Sequence, residues 1–246
     1  MTLRNRIAPF AAFAVLLSVG VKADELKRSS PTLQVTSLKD LTVKVEVTKL
    51  DSAELEKIGR DFSTIYRLKH LTLYYRSPDQ LRLEGNSRVF GDGTMILNGT
   101  KRSYTVSKLH IKKSEDLKTS PAKRQSLMEF AGLIAEGTLD FLKPKFVKTE
   151  ARLDVYELRY NSEEKSSYFV VSVEPKTHIV RSRRWFDADN HLRASFLYLG
   201  EKEVSPGIWL PERCEIRNAE GQLAAVMEYR DAKADTGLTD ALFQTQ

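Results

Sequence analysis

The chain has 246 residues, 41% hydrophobic and 29% charged, with a formal net charge of +6. This is the composition of a globular protein, and a mild basic excess with no recognisable binding module gives no footing for nucleic-acid recognition. The only cysteine, Cys214, excludes an intramolecular disulfide and any multi-cysteine metal site.

Residues 1–23 read as a signal peptide. Arg4 and Arg6 make the positive start, Ile7 to Val21 the apolar run, and Val21-Lys22-Ala23 a small-residue cleavage site. The run is too short for a membrane span, although a retained N-terminal anchor is the alternative. Half of the +6 charge lies here, in Arg4, Arg6 and Lys22. The expected mature protein starts at Asp24, is exported and is soluble after cleavage. No other run is long enough to span a bilayer.

Residues 24–32 are polar. Leu41, Val43, Val45 and Val47 then alternate with polar residues, the period of a half-buried strand. Asp51 caps a short helix with Glu54 three positions on, Leu55 and Ile58 on one face, and Gly59 at its end. Next comes the central stretch, residues 66–93. Leu71, Leu73 and Tyr75 alternate with polar positions, Ser77-Pro78-Asp79 turns the chain, and Leu81 and Leu83 repeat the pattern. Gly91-Asp92-Gly93 predicts a tight hairpin turn, as does Asn98-Gly99 after a strand at Met95-Ile96-Leu97. Tyr104 and Val106, with Leu109 and Ile111, extend the sheet.

Ser120-Pro121 has the form of a helix start. Leu127, Phe130, Leu133, Ile134, Phe141 and Leu142 recur near helical spacing up to Pro144, interrupted by Gly132 and Gly137, so this segment is one helix or two. After it, strands are expected at 153–160, 168–174, 179–187, 192–199, 209–217 and 223–229. Their short, regular spacing suggests an antiparallel sandwich, barrel or curved sheet.

No catalytic constellation stands out. His70, His110, His178 and His191 have no metal-ligand spacing. Asp187-x-Asp189-Asn190 lacks the glycine and glutamate of a calcium loop and reads as a hairpin turn. Nucleophile elbow, P-loop and dinucleotide fingerprint are all missing. Cys214 shares the inward parity of a core strand, which suits a packed thiol. The expectation is therefore no enzyme, no cofactor and no metal. The large apolar residues on strands and on the helical segment read first as a filled core, with the wall of a hydrophobic pocket as the alternative.

Arg76-Ser77-Pro78-Asp79-Gln80-Leu81-Arg82, followed by Asp92-Gly93, resembles the "basic–x–Pro–x–x–Leu–Arg … Asp-Gly" signature of the LolA-type outer-membrane lipoprotein carriers. Later pieces match in order. Glu174-Pro175-Lys176-Thr177 is similar to the family's strand-ending turn, and Asp187-Ala188-Asp189-Asn190 to its Asp-x-x-Gly hairpin with Asn for Gly. Gly207-Ile208-Trp209-Leu210-Pro211 is similar to its late-strand entry, and the stretch 238–243 to its closing segment.

The resemblance implies a mainly β fold with a few helices (α+β), a strongly curved antiparallel sheet forming an unclosed β-barrel under a helical lid. It divides the chain into a signal peptide at 1–23, a polar segment with an extra strand at 24–50, and a lipid- or lipoprotein-binding domain at 51–246. It implies a monomeric periplasmic carrier, not an enzyme, that shields acyl chains of a lipoprotein or lipid cargo between an inner-membrane donor and an outer-membrane acceptor. A non-catalytic envelope sensor or regulator of the same fold, binding lipid or a protein partner, is the alternative. Candidate groove residues are Leu71, Leu73, Tyr75 and Leu83 in the central stretch. Phe130, Leu133, Ile134 and Phe141 join them from the helical segment, and Trp185, Phe196 and Trp209 from the later strands. Arg76 matches the family arginine that latches the lid through carbonyl hydrogen bonds.

Overall fold

The computed structural model describes residues 33–59, 66, 68–87, 91–161 and 166–245. The signal peptide and the polar stretch to residue 32 lie outside them. One strand, β1 (Asp40–Leu50), is followed by helix α1 (Ser52–Ile58) and by five strands: β2 (His70–Arg76), β3 (Gln80–Ser87), β4 (Gly91–Asn98), β5 (Lys101–Val106) and β6 (Ile111–Asp116). The middle of the chain holds helix α2 (Leu127–Ala131). Then come β7 (Leu142–Glu150), β8 (Leu153–Tyr160), β9 (Tyr168–Val173), β10 (Val180–Phe186) and β11 (Leu192–Leu199). The chain closes with the small strands β12 (Lys202–Ser205) and β13 (Ile208–Leu210), then β14 (Arg213–Asn218) and β15 (Leu223–Ala234).

Thirteen of these strands make one antiparallel sheet in the order β6-β5-β4-β3-β2-β1-β15-β14-β11-β10-β9-β8-β7, while β12 and β13 pair separately. The order runs from one edge to the other and does not close on itself, so the sheet is not a barrel. β1, the strand preceding the family-like region, sits at its centre between β2 and β15. Period-2 alternation explains why. Leu41, Val43 and Val45 face the buried side opposite Tyr75, Leu73 and Leu71. The row continues from Leu73 to Leu83 and on to Met95.

The short helix α1 follows its sequence signals. Asp51 accepts bonds from the Ala53 and Glu54 amides, and Leu55 and Ile58 are buried beneath it. The middle segment differs from the sequence expectation. Instead of a long helix it forms a 3-10 turn at Pro121–Lys123, the five-residue α2, and a second 3-10 turn at Glu136–Asp140. Gly132 ends α2 in the left-handed region (φ 66). Leu133 and Ile134 are then drawn into the core as extended chain, since the Val35 amide bonds the Ile134 carbonyl (2.9 Å) and the Val180 amide bonds the Gly132 carbonyl (2.9 Å).

Three smaller expectations also change. Gly91, Asp92 and Gly93 are not a hairpin turn but the start of β4, paired with Ser87, Asn86 and Gly85. The Leu109 region is a 3-10 turn with His110 left-handed, so β6 begins only at Ile111. The strand expected at 209–217 is broken at Pro211 into β13 and β14, because proline cannot donate to the ladder.

Candidate functional site

The curvature of the sheet brings strands that are far apart in its order to face each other. Between them lies a cavity of about 820 Å³, within the range of small-molecule sites. One wall carries Leu71, Leu83, Met95, Tyr104 and Ile111 from β2 to β6, and the other carries Tyr160, Phe169 and Trp185 from β8 to β10. Phe130 of α2 closes it from the covering segment, with Ala122 and Gln125. Leu109, half exposed at 50%, lies where the cavity reaches solvent.

Space is left because the sheet carries glycines here. Leu71, Gly85, Gly93 and Val106 form one cross-strand row. A methyl group on Gly85 would lie 2.7 Å from Leu71, whereas one on Gly93, which lines the cavity, would make only ordinary contacts from 3.6 Å outward. Gly93 thus leaves unfilled volume between Leu68 and the opposite wall.

Of the residues singled out from sequence, Leu71, Leu83, Phe130 and Trp185 line this cavity. Leu73, Leu133, Ile134 and Phe196 are fully buried in the core. Tyr75 and Phe141 border a tight cleft beside Pro78 and Arg124. Trp209 is half-buried on the small hairpin, against the core. Arg76 bonds Gln80 (2.6 Å), the Leu238 carbonyl (3.2 Å) and Asp240, and lies over the Phe243 ring (5.3 Å to its centroid). It fastens the C-terminal segment to β2.

Two other arginines fasten the covering segment. Arg102 of β5 donates to Glu115 (2.6 Å) on β6, and across to the Lys123 carbonyl (2.7 Å) and Gln125 (2.9 Å). Arg124 pairs with Asp79 and lies 4.4 Å from the Phe141 ring centroid.

At the inner end of the cavity stands Arg183, only 3% exposed. Register places it opposite Phe196, and its guanidinium carbon lies 3.6 Å from that ring's centroid and 5.4 Å from that of Phe169. Glu129 of α2 also faces the cavity. Its carboxylate accepts from the Ser126 amide and hydroxyl in a capping box. Burial pushes the Glu129 carboxyl up, with the Arg183 charge and the Ser126 bonds offsetting part of that rise. The Tyr198 hydroxyl donates to the Met128 carbonyl (2.9 Å), tying α2 to β11.

Parity was the available signal for these charges. Arg183 lies two positions before Trp185, and Arg102 two before Tyr104, so in a strand each arginine shares its neighbour's inward face. The carboxylate–histidine group Asp187, Asp189 and His191 is a surface turn. There Asp187 accepts from the Asp189 (3.0 Å) and His191 (2.9 Å) amides. No helix among the described residues is long and apolar enough to cross a membrane.

No protein-family model matches the chain, and no curated protein matches it by sequence. Solved structures do. It is similar to a domain assigned to outer-membrane lipoprotein sorting from Vibrio parahaemolyticus, at TM-score 0.57 and 11% identity over 92% of this chain and 95% of that one. It is similar to a DUF1329 family protein from Desulfovibrio piger, at TM-score 0.53 and 12% identity over 92% and 95%. A LolA superfamily protein from Nitrosomonas europaea matches at TM-score 0.53 and 12% identity over 93% and 98%. Likeness at such identities speaks to architecture, and with the open, strongly curved sheet described above it shows that this chain has a LolA-like fold.

Proposed function

We propose that the protein is a non-catalytic carrier that holds acyl chains of a lipid or lipoprotein in the cavity between the two arms of its sheet. The observation that carries this reading is the cavity itself: about 820 Å³ walled mainly by aliphatic and aromatic side chains. Each methylene moved from water into such a site contributes about 0.8 kcal/mol, so an acyl chain needs little directed chemistry to bind. The lipoprotein-sorting assignment of a structural neighbour supports the same direction. Under this reading the chain works in the periplasm, receives cargo from an inner-membrane donor and delivers it to an outer-membrane acceptor.

A neutral fluorescent probe, N-phenyl-1-naphthylamine, tests the binding step. The wild type should enhance its emission, and lipid extracted from the purified protein should appear by mass spectrometry. Gly93→Leu should narrow the cavity and weaken probe binding, while the far-ultraviolet circular dichroism stays unchanged. A wild type that neither binds the probe nor carries lipid would end the carrier reading.

A further inference from the structure

A purely apolar cargo site would have no use for a cation at its inner end, yet one is built here. Arg183 is 3% exposed, lines the cavity, and its Nε has no hydrogen-bond partner. A buried donor without a partner is costly, and a buried guanidinium more so. Its guanidinium carbon lies 3.6 Å from the Phe196 ring centroid and 5.4 Å from that of Phe169. Part of the guanidinium's edge meets the Tyr198 hydroxyl, and the remaining N–H donors along that edge are its route to a polar ligand. The carboxylate nearest in charge, Glu129, is engaged by the Ser126 amide and hydroxyl at the start of α2.

We propose that the cavity selects acyl ligands ending in an anionic oxygen group, carboxylate or phosphate, with the anion held by Arg183 at the inner end and the chain running outward past Trp185 and Phe130 towards Leu109. This rests on the carrier reading and adds a polarity to it: the head enters first and the tail fills the apolar length. Planar forked donors suit carboxylate and phosphate oxygens equally. A hydrogen bond to a charged group contributes about 1.5–3 kcal/mol, about tenfold to a hundredfold in affinity. Glu129 repels the arriving anion, so its charge lowers the selectivity that Arg183 confers.

The test is displacement of bound N-phenyl-1-naphthylamine from the wild type by dodecanoate, dodecyl phosphate and dodecanol, three ligands with the same chain. Dodecanoate or dodecyl phosphate should compete about tenfold or more better than dodecanol, and whichever anion is the stronger names the head group. The double variant Arg183→Met/Glu129→Gln removes both charges at near-constant volume, and Gln keeps the capping box. In it the preference for anions should fall to near unity. Glu129→Gln alone should widen the preference. Equal competition by all three ligands in the wild type, or an anion preference that survives in the double variant, overturns the proposal and leaves the carrier reading standing. Failure of the wild type to bind the probe at all overturns both.

Discussion

Asp40 and Asp235 each hold the other's backbone. The Asp235 carboxylate accepts from the Lys39 amide (2.9 Å) and the Asp40 amide (3.4 Å), and the Asp235 amide donates to the Asp40 carbonyl (2.9 Å). The Asp40 carboxylate in turn accepts from the amides of Thr236 (2.8 Å), Gly237 (2.8 Å) and Leu238 (3.3 Å) and from the Thr236 hydroxyl (3.0 Å). This clasp turns the chain at the end of β15, so that residues 238–243 run back over β2 to β4. There Arg76, Arg82 and Asn98 take the carbonyls of Leu238, Leu242 and Phe243. Phe243 is fully buried as a result.

The clasp should fail in acid. Burial alone would raise the Asp40 pKa, but the bonds from Thr236, Gly237 and Leu238 outweigh it and hold the carboxyl below its ordinary value. A depressed folded-state pKa gives stability that is present above the unfolded value of about 3.9 and is lost as pH falls through the folded value. Asp40→Asn should therefore cost about 1–3 kcal/mol at neutral pH, with the gap from wild type narrowing below about pH 3. Urea unfolding at the two pH values measures this. An unchanged gap would mean that the charge on Asp40 contributes nothing.

Cys214 sits on β14 between Tyr198 and Met227, fully buried, and burial pushes its thiol up to about 12. The thiolate is the reactive form, so the native protein should resist iodoacetamide at neutral pH. Labelling followed by mass spectrometry across a urea titration should track global unfolding. Rapid labelling in the absence of denaturant would place the thiol at an accessible surface.

The strands were legible because one face of each is buried and the alternation survives in the sequence. Leu41 to Val47 and Leu71 to Tyr75 show it plainly, as do the turn at Asn98-Gly99 and the cap at Asp51. The covering segment was not legible. Phe130, Leu133 and Ile134 satisfy helical spacing, but long-range bonds to Val35 and Val180 pull Leu133 and Ile134 into extended chain, and no local pattern encodes partners so distant in the sequence. Gly93 misled for a related reason, since glycine marks a turn or a space needed in a sheet equally well. Arg102 and Arg183 carry no sequence signal beyond parity, because charged residues default to solvent.

Gly132 sets where α2 stops, and the reason can be separated into two parts. Its φ is 66, and a methyl group there would lie 2.8–3.0 Å from the ring of Tyr198. Gly99 has a similar φ of 61, but nothing lies within 4 Å. Gly99→Ala should then show backbone strain alone, about 1–2 kcal/mol. Gly132→Ala should add about 1–3 kcal/mol for the clash. Chemical denaturation of both variants gives the comparison, and equal losses would mean that Tyr198 yields without resistance.

The last prediction concerns how the covering segment is fastened. Its contact with the β2–β3 turn is concentrated at two residues. The Pro78 carbonyl accepts from the Gly137 amide (3.0 Å) and the Tyr75 hydroxyl (3.1 Å), and Asp79 pairs with Arg124. Both charges are largely shielded, and Arg124 is also packed against Phe141. Asp79→Ala leaves a buried guanidinium without its counter-charge, which costs about 3–5 kcal/mol. Asp79→Ala/Arg124→Met removes both charges and should recover much of that loss, because an apolar pair of similar volume avoids the desolvation penalty. The single variant should also loosen the segment before the sheet. Amide exchange at Gly132 and Thr138, whose partners are the Met128 and Ala135 carbonyls, should quicken while the β2–β3 ladder stays protected. If the double variant loses the sum of the two single losses, the pair is not coupled. The segment would then be held by Arg102 and its own buried side chains.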